Sequence, residues 1–151
     1  MSTIAIRKAD LGDVLHIVDV FNVTRSKMNY LPVIHTPKEI EDFFATLVKN
    51  GTIIVALYNK EIVGFMEIKD GWLNHLYILP SFQNKGIGKR LLDEAKLKSP
   101  KGISLMVFED NKDAMKFYER EGFLLVEKRN QGQTTNEEHL PDRKYSWKTT
   151  S

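Results

Sequence analysis

The sequence predicts a mixed α/β fold, a central mixed seven-stranded sheet with helices on both faces. Three observations carry this. Apolar residues recur at helical spacing in some segments and fill short β-branched runs in others. The middle of the chain meanders from strand to strand through tight turns such as Asp70-Gly71. After Pro80, strands and helices alternate, which calls for crossovers over the faces of a sheet.

The elements follow in order. Ile4-Ala5-Ile6 reads as a short first strand. Asp10 opens a helix with Leu11, Val14, Leu15, Val18 and Phe21 on one face. Thr24–Ile34 breaks that pattern and reads as a loop or a frayed helix end. Thr36-Pro37-Lys38-Glu39 is a capping box with proline at the first helical position. Ile40, Phe43, Phe44, Leu47 and Val48 form the stripe of this second helix, which Asn50-Gly51 ends.

Thr52–Tyr58, Glu61–Lys69 and Trp72–Leu79 are three successive strands, joined by Asn59-Lys60 and Asp70-Gly71 and stopped by Pro80. Ile87, Leu91, Leu92 and Ala95 share one face of a third helix that ends at Ser99-Pro100. Ile103–Phe108 is a buried strand. Asp110 or Asn111 caps a helix carrying Ala114, Met115 and Tyr118, and Gly122 closes it. Phe123–Lys128 is the sixth strand, Arg129–Pro141 a polar loop, and Arg143–Lys148 the last strand, with Tyr145 and Trp147 on one face. The order is β-α-α-β-β-β-α-β-α-β-β, with no repeat and no linker, so residues 1–151 read as one domain.

Composition narrows the function. The chain has 151 residues, 42% hydrophobic and 28% charged, as in a globular domain. A net charge of +2 gives no reason to expect nucleic acid as a partner. The absence of cysteine rules out disulfides, thiolate metal sites and a cysteine nucleophile. His16, His35, His75 and His139 show no paired ligand spacing, so no metal is expected. No apolar run has signal-peptide or bilayer character, so a cytoplasmic protein with no membrane partner is expected.

Gln83-Asn84-Lys85-Gly86-Ile87-Gly88-Lys89-Arg90 lies between the fourth strand and the third helix. A helix N-terminus leaves N–H groups unpaired and carries partial positive charge. Two glycines clear the approach for an anion, and Lys85, Lys89 and Arg90 add full charge, which suits a pyrophosphate. Two rival motifs fail on spacing. A Walker loop needs four residues between its glycines, and a Rossmann turn needs a third glycine where Leu91 stands.

Pro80-x-x-Gln83-x-x-Gly86-x-Gly88, before a Leu-Leu helix, resembles the acyl-CoA signature of the GNAT N-acetyltransferase superfamily. Asn111-x-x-Ala114-x-x-Phe117-Tyr118-Glu119-x-x-Gly122-Phe123 resembles that superfamily's following segment, and the element order matches its fold from end to end. The resemblance implies fourth and fifth strands that splay apart, with acetyl-CoA between them. It implies that backbone groups of Leu76, Tyr77 and Ile78 bind the pantetheine. The backbone of Asn84, Lys85, Gly86, Ile87, Gly88 and Lys89 would cradle the pyrophosphate. Asn111 and Phe117 would line the thiol end, where they also serve as helix cap and core.

Thioester aminolysis needs a neutral amine, a stabilised oxyanion and a proton for the leaving thiolate. The resemblance gives the last task to Tyr118, whose hydroxyl suits a thiolate of similar basicity. The base stays open. Some relatives carry a glutamate on the fifth strand where Met106 stands here. His75, Glu67, Glu137 and Glu138 remain candidates; His75 has a suitable reference pKa and by alternation shares a face with Leu73 and Tyr77. Water is a further alternative.

Thr135-Asn136-Glu137-Glu138-x-x-Pro141-Asp142-x-x-Tyr145-x-Trp147, with Tyr30-Leu31-Pro32 and His35-Thr36, is similar to one bacterial GNAT subgroup. In this fold both segments frame the acceptor side. Tyr30, Glu67, Glu137 and Glu138 are therefore candidate substrate residues for a small-molecule or peptidyl amine. Direct transfer is expected, since no cysteine can carry an acyl group. The alternatives are a non-catalytic acyl-CoA sensor, which has no use for Tyr118, and a nucleotide-phosphate binder using the glycine turn alone. Many relatives are dimers, and a homodimer stays open.

Overall fold

A computed structural model describes residues 3–148. Seven strands form one sheet in the order β1-β2-β3-β4-β5-β7-β6. They are β1 (Ile4–Lys8), β2 (Ile53–Tyr58), β3 (Glu61–Lys69), β4 (Trp72–Ile78), β5 (Ile103–Phe108), β6 (Leu124–Arg129) and β7 (Asp142–Trp147). Four helices cover it: α1 (Val14–Ser26), α2 (Pro37–Asn50), α3 (Ile87–Lys98) and α4 (Lys112–Arg120). β1 to β4 pair antiparallel, as do β5 with β7 and β7 with β6. Among the described residues only β4 and β5 run parallel, and they meet at the single register pair Trp72↔Ser104.

The sheet separates two cores. On one face α3 and α4 bury Ile87, Leu91, Leu92, Met115 and Tyr118 against Met66, Leu105 and Tyr145. On the other, α1 and α2 bury Ile17, Val20 and Phe44 against Ile53, Val55 and Phe65. Phe44 is wholly buried, and truncating such a side chain costs about 3–5 kcal/mol.

Side-chain capping explains where α2 and α4 begin. Thr36 and Glu39 form the reciprocal box at α2, and Gly51 closes that helix at φ +77°. Asn111, of the two candidates, caps α4 through the Ala114 N–H. At the first helix the stripe differs from the expected one. Asp10 caps a short 3-10 turn over Leu11–Asp13, and the α-helix begins only at Val14. The turn shifts the phase, so Val14, Ile17 and Val20 are buried while Leu11 and Leu15 face solvent. The helix also runs on to Ser26, so the start of Thr24–Ile34 is a helix end, one of the two readings of that segment.

A second correction concerns His75. The β3–β4 ladder pairs Glu67 with His75 but Ile68 with Leu73, so Asn74 is the extra residue of a bulge. The bulge breaks alternation. Leu73 joins the α3–α4 core, whereas the His75 ring packs beside Phe44 on the α1–α2 face with Tyr77.

Candidate active site

Because β4 and β5 part beyond Trp72↔Ser104, a cleft of about 1310 Å³ opens between them. Leu76, Tyr77 and Ile78 line one wall and Met106, Val107 and Phe108 the other. Antiparallel alternation fixes which backbone groups face the gap. The Leu79 N–H bonds the Val63 carbonyl on β3, so those of Tyr77 turn the same way. Leu76 and Ile78 therefore turn theirs toward the gap, where the Ile78 carbonyl accepts a bond from Gln83 Nε2 at 3.0 Å.

The N-terminus of α3 closes one end of the cleft. Its first intrahelical bond runs from the Arg90 N–H to the Gly86 carbonyl, and no side chain caps it. The N–H groups of Ile87, Gly88 and Lys89 are therefore left for an outside acceptor. Gly86 has φ +85° and open space around its Cα, while a Cβ on Gly88 would lie 3.3 Å from the Phe117 ring. Asn84 also takes positive φ, at 62°. The side chains of this segment go elsewhere. Ile87 is core. Lys85 lies over the Tyr58 ring. Lys89 pairs with Asp93 and Glu121. Arg90 is exposed. The turn thus offers backbone N–H groups, with the cations around it.

Tyr118 lines the cleft from α4, its ring braced by Phe117 and Phe123 at centroid distances of 5.3 and 5.6 Å. Burial pushes its pKa up, so it is protonated at neutral pH. Asn111 and Phe117 line the same stretch.

Toward α1 and α2 the cleft becomes aromatic. His75 is ringed by Phe44, Phe43, Tyr77 and Phe21. Burial, with a smaller contribution from Arg25, lowers its pKa to about 4, so the ring is neutral. Two lining side chains, Thr24 through Oγ1 and His75 through Nδ1, bury a polar atom with no partner among the described residues. Glu67 is buried just beside, with Oε1 held by Asn74 Nδ2 at 2.7 Å and Oε2 unpartnered. It does not line the cleft. Tyr30 packs on Phe108, and its buried hydroxyl has a pKa raised to about 12 by burial and Asp110.

Glu137 and Glu138 line the outer end, on the loop between β6 and β7. Asn136 bonds the Leu140 carbonyl, the Leu140 N–H and Asp142, and Arg129 grips Asp142 with two bonds of 2.8 and 2.7 Å. This clasp explains the spacing of the Asn-Glu-Glu and Pro-Asp residues: the outer members hold the loop so that the glutamates face the cleft. The partners of those glutamates lie more than a hundred residues away: His35 belongs to a segment the sequence singles out, but its pairing with Glu137, and the role of Arg25, carry no local signal.

The family description Acetyltransferase (GNAT) domain matches residues 49–124. Peptidyl-lysine N-acetyltransferase YjaB of Salmonella typhimurium is 33% identical over 89 residues, which cover 58% of this chain and 61% of that protein. The chain therefore spans less than two thirds of that relative's length. Apo-form YjaB from Escherichia coli has a similar structure, with a TM-score of 0.76 at 21% identity, covering 95% of this chain and 97% of that one. So has PaiA N-acetyltransferase from Thermoplasma acidophilum in complex with coenzyme A, with a TM-score of 0.73 at 22% identity and coverage of 97% and 99%. At these identities the two structures speak for the fold.

Proposed function

Because the chain belongs to the GNAT acetyltransferase family, we propose that it is an N-acetyltransferase that uses acetyl-CoA and passes the acetyl group directly to a primary amine. One observation carries this most: the gap between β4 and β5 ends at an uncapped helix N-terminus and has Tyr118 on its wall. The residues fit the donor. Backbone N–H groups at Ile87–Lys89 suit the pyrophosphate, and the Leu76 N–H and carbonyl with the Ile78 N–H suit the pantetheine amides, the Ile78 carbonyl being held by Gln83.

The reaction forms a C–N bond and breaks a C–S bond, so a thiolate leaves and the amine loses a proton. Tyr118 supplies the proton to sulfur. Its raised pKa keeps it in the donating form. His75 takes the amine proton. Although weakly basic, it is uncharged and lines the cleft, and an N–H in the adduct is far more acidic than a free ammonium. Glu67 is the second candidate, cross-strand from His75. The acceptor side is framed by Glu137 and Glu138, with Tyr30 set behind Phe108 rather than on the cleft wall, for a small-molecule or peptidyl amine. The carboxylates there favour a cation.

Thermal denaturation tests the donor. Acetyl-CoA at a hundred times its dissociation constant stabilises the native state by about 2.7 kcal/mol. A shift with acetyl-CoA and CoA, but none with ATP or NAD, followed by thiol release on adding amines, is expected. No shift with either CoA ligand would overturn the assignment. A shift without thiol release for any amine would favour a sensor.

A further inference from the structure

Glu137 and Glu138 are neighbours in sequence with opposite surroundings. Glu138 meets Arg25 of α1 at 3.0 Å, and its side chain keeps only 8% exposure. Breaking such a buried pair would strand Arg25. Glu137 meets His35 Nε2 at 2.9 Å, and both side chains remain open, at 59% and 42%. An exposed ion pair is weak and exchanges readily. The backbone beneath is fixed by Asn136 and Asp142, so only the Glu137 carboxylate is free to change partner. Glu39 and Asp42 on α2 line the same rim.

Depth decides what that partner is. Tyr118 is buried and His75 half-buried where the amine reacts, whereas Glu137 is at the open rim of the same cleft. One nitrogen cannot serve both places at once. We propose that the acceptor is dibasic: one amine reacts in the cleft while a second cation takes Glu137 from His35. This rests on the acetyl-transfer reading above. His35 holds Glu137 until the acceptor arrives and so sets the cost of entry.

The exchange has a pH signature. Glu137 from the β6–β7 loop and Glu39 from α2 face the His35 ring, and both raise its pKa, Glu137 most. Below that pKa His35 is charged and competes with the acceptor; above it the competition ends. The acceptor KM should fall as pH rises through this range in the wild type but stay level in His35→Gln, once both are corrected for amine titration.

Cadaverine against pentylamine tests the idea for polyamine-like acceptors, and blocked Lys-Arg against Lys-Ala dipeptide amides tests it for peptides. In whichever pair reacts, the dibasic member should be favoured about tenfold in kcat/KM, and Glu137→Gln should erase the preference without changing the KM for acetyl-CoA. A preference that survives Glu137→Gln, or its absence from both wild-type pairs, overturns the proposal. A second readout is independent of turnover. In an NMR titration the dibasic probe should lower the His35 pKa, and the monobasic one should leave it alone. If acetyl-CoA stabilises the protein but His35 does not respond, the exchange is wrong and acetyl transfer stands. If acetyl-CoA gives no stabilisation, acetyl transfer itself falls, and the proposal with it.

Discussion

Trp72 of β4 stands opposite Ser104 of β5, and the ladder between these parallel strands goes no further. Every later backbone group on the facing edges needs another partner or water. Leu76 and Ile78 turn their groups into the gap, whereas those of Tyr77 are directed to β3. Saturating acetyl-CoA should therefore slow amide exchange at Leu76 and Ile78, by about tenfold or more, and leave Tyr77 nearly unchanged. Exchange measured by NMR with and without ligand checks this. Equal protection of all three would mean that the ligand does not extend the sheet here.

Tyr118→Phe removes a hydroxyl and leaves the ring packed on Phe117 and Phe123. Loss of a general acid costs about 10²–10⁴ in rate. The variant should lose turnover in that range with unchanged CoA affinity by calorimetry. Because burial raises the Tyr118 pKa, no alkaline loss of activity assignable to it should appear below pH 10. Unchanged turnover in the variant would remove Tyr118 from the chemistry.

The two glycines of the turn should fail differently. Gly86 has positive φ and nothing near a would-be Cβ, so Gly86→Ala should cost stability by about 1–2 kcal/mol through backbone strain. Gly88 is helical, where alanine is favoured, but its Cβ would press on Phe117 and fill the approach to the helix N-terminus. Gly88→Ala should keep its melting temperature and lose acetyl-CoA affinity about tenfold or more. Calorimetry and thermal melts on both variants separate the effects.

The sheet, the order of elements and the glycine turn before α3 were legible because each rests on local signals: periodicity, capping residues and glycine spacing. What the sequence hid is non-local. The phase of α1 depends on a 3-10 turn at Leu11–Asp13 that periodicity cannot see. The side on which His75 lies depends on a one-residue bulge at Asn74. The outer end of the cleft is built by Arg25–Glu138 and His35–Glu137, pairs that exist only once the β6–β7 loop folds back on α1 and the segment before α2.

His75 allows the sharpest pH test. Its folded pKa is about 4, lowered by burial and then by Arg25, against an unfolded value of about 6.5. A depressed folded pKa means that below pH 6.5 the unfolded chain takes up a proton that the native state refuses. The stabilising contribution is therefore complete above pH 6.5 and is lost as pH falls toward 4. Its slope approaches about 1.4 kcal/mol per pH unit in that window. His75→Phe suits the ring of aromatic neighbours and removes the slope, so wild type should lose melting temperature relative to the variant between pH 6.5 and 4. An NMR titration of the wild type should show no His75 midpoint between pH 5 and 8. The same variant addresses catalysis. If the neutral ring takes the amine proton, His75→Phe should lower turnover about a hundredfold or more, at a pH where both proteins are fully folded. Turnover near wild type, with the stability slope abolished as expected, would assign His75 to packing and move the proton to Glu67 or to water.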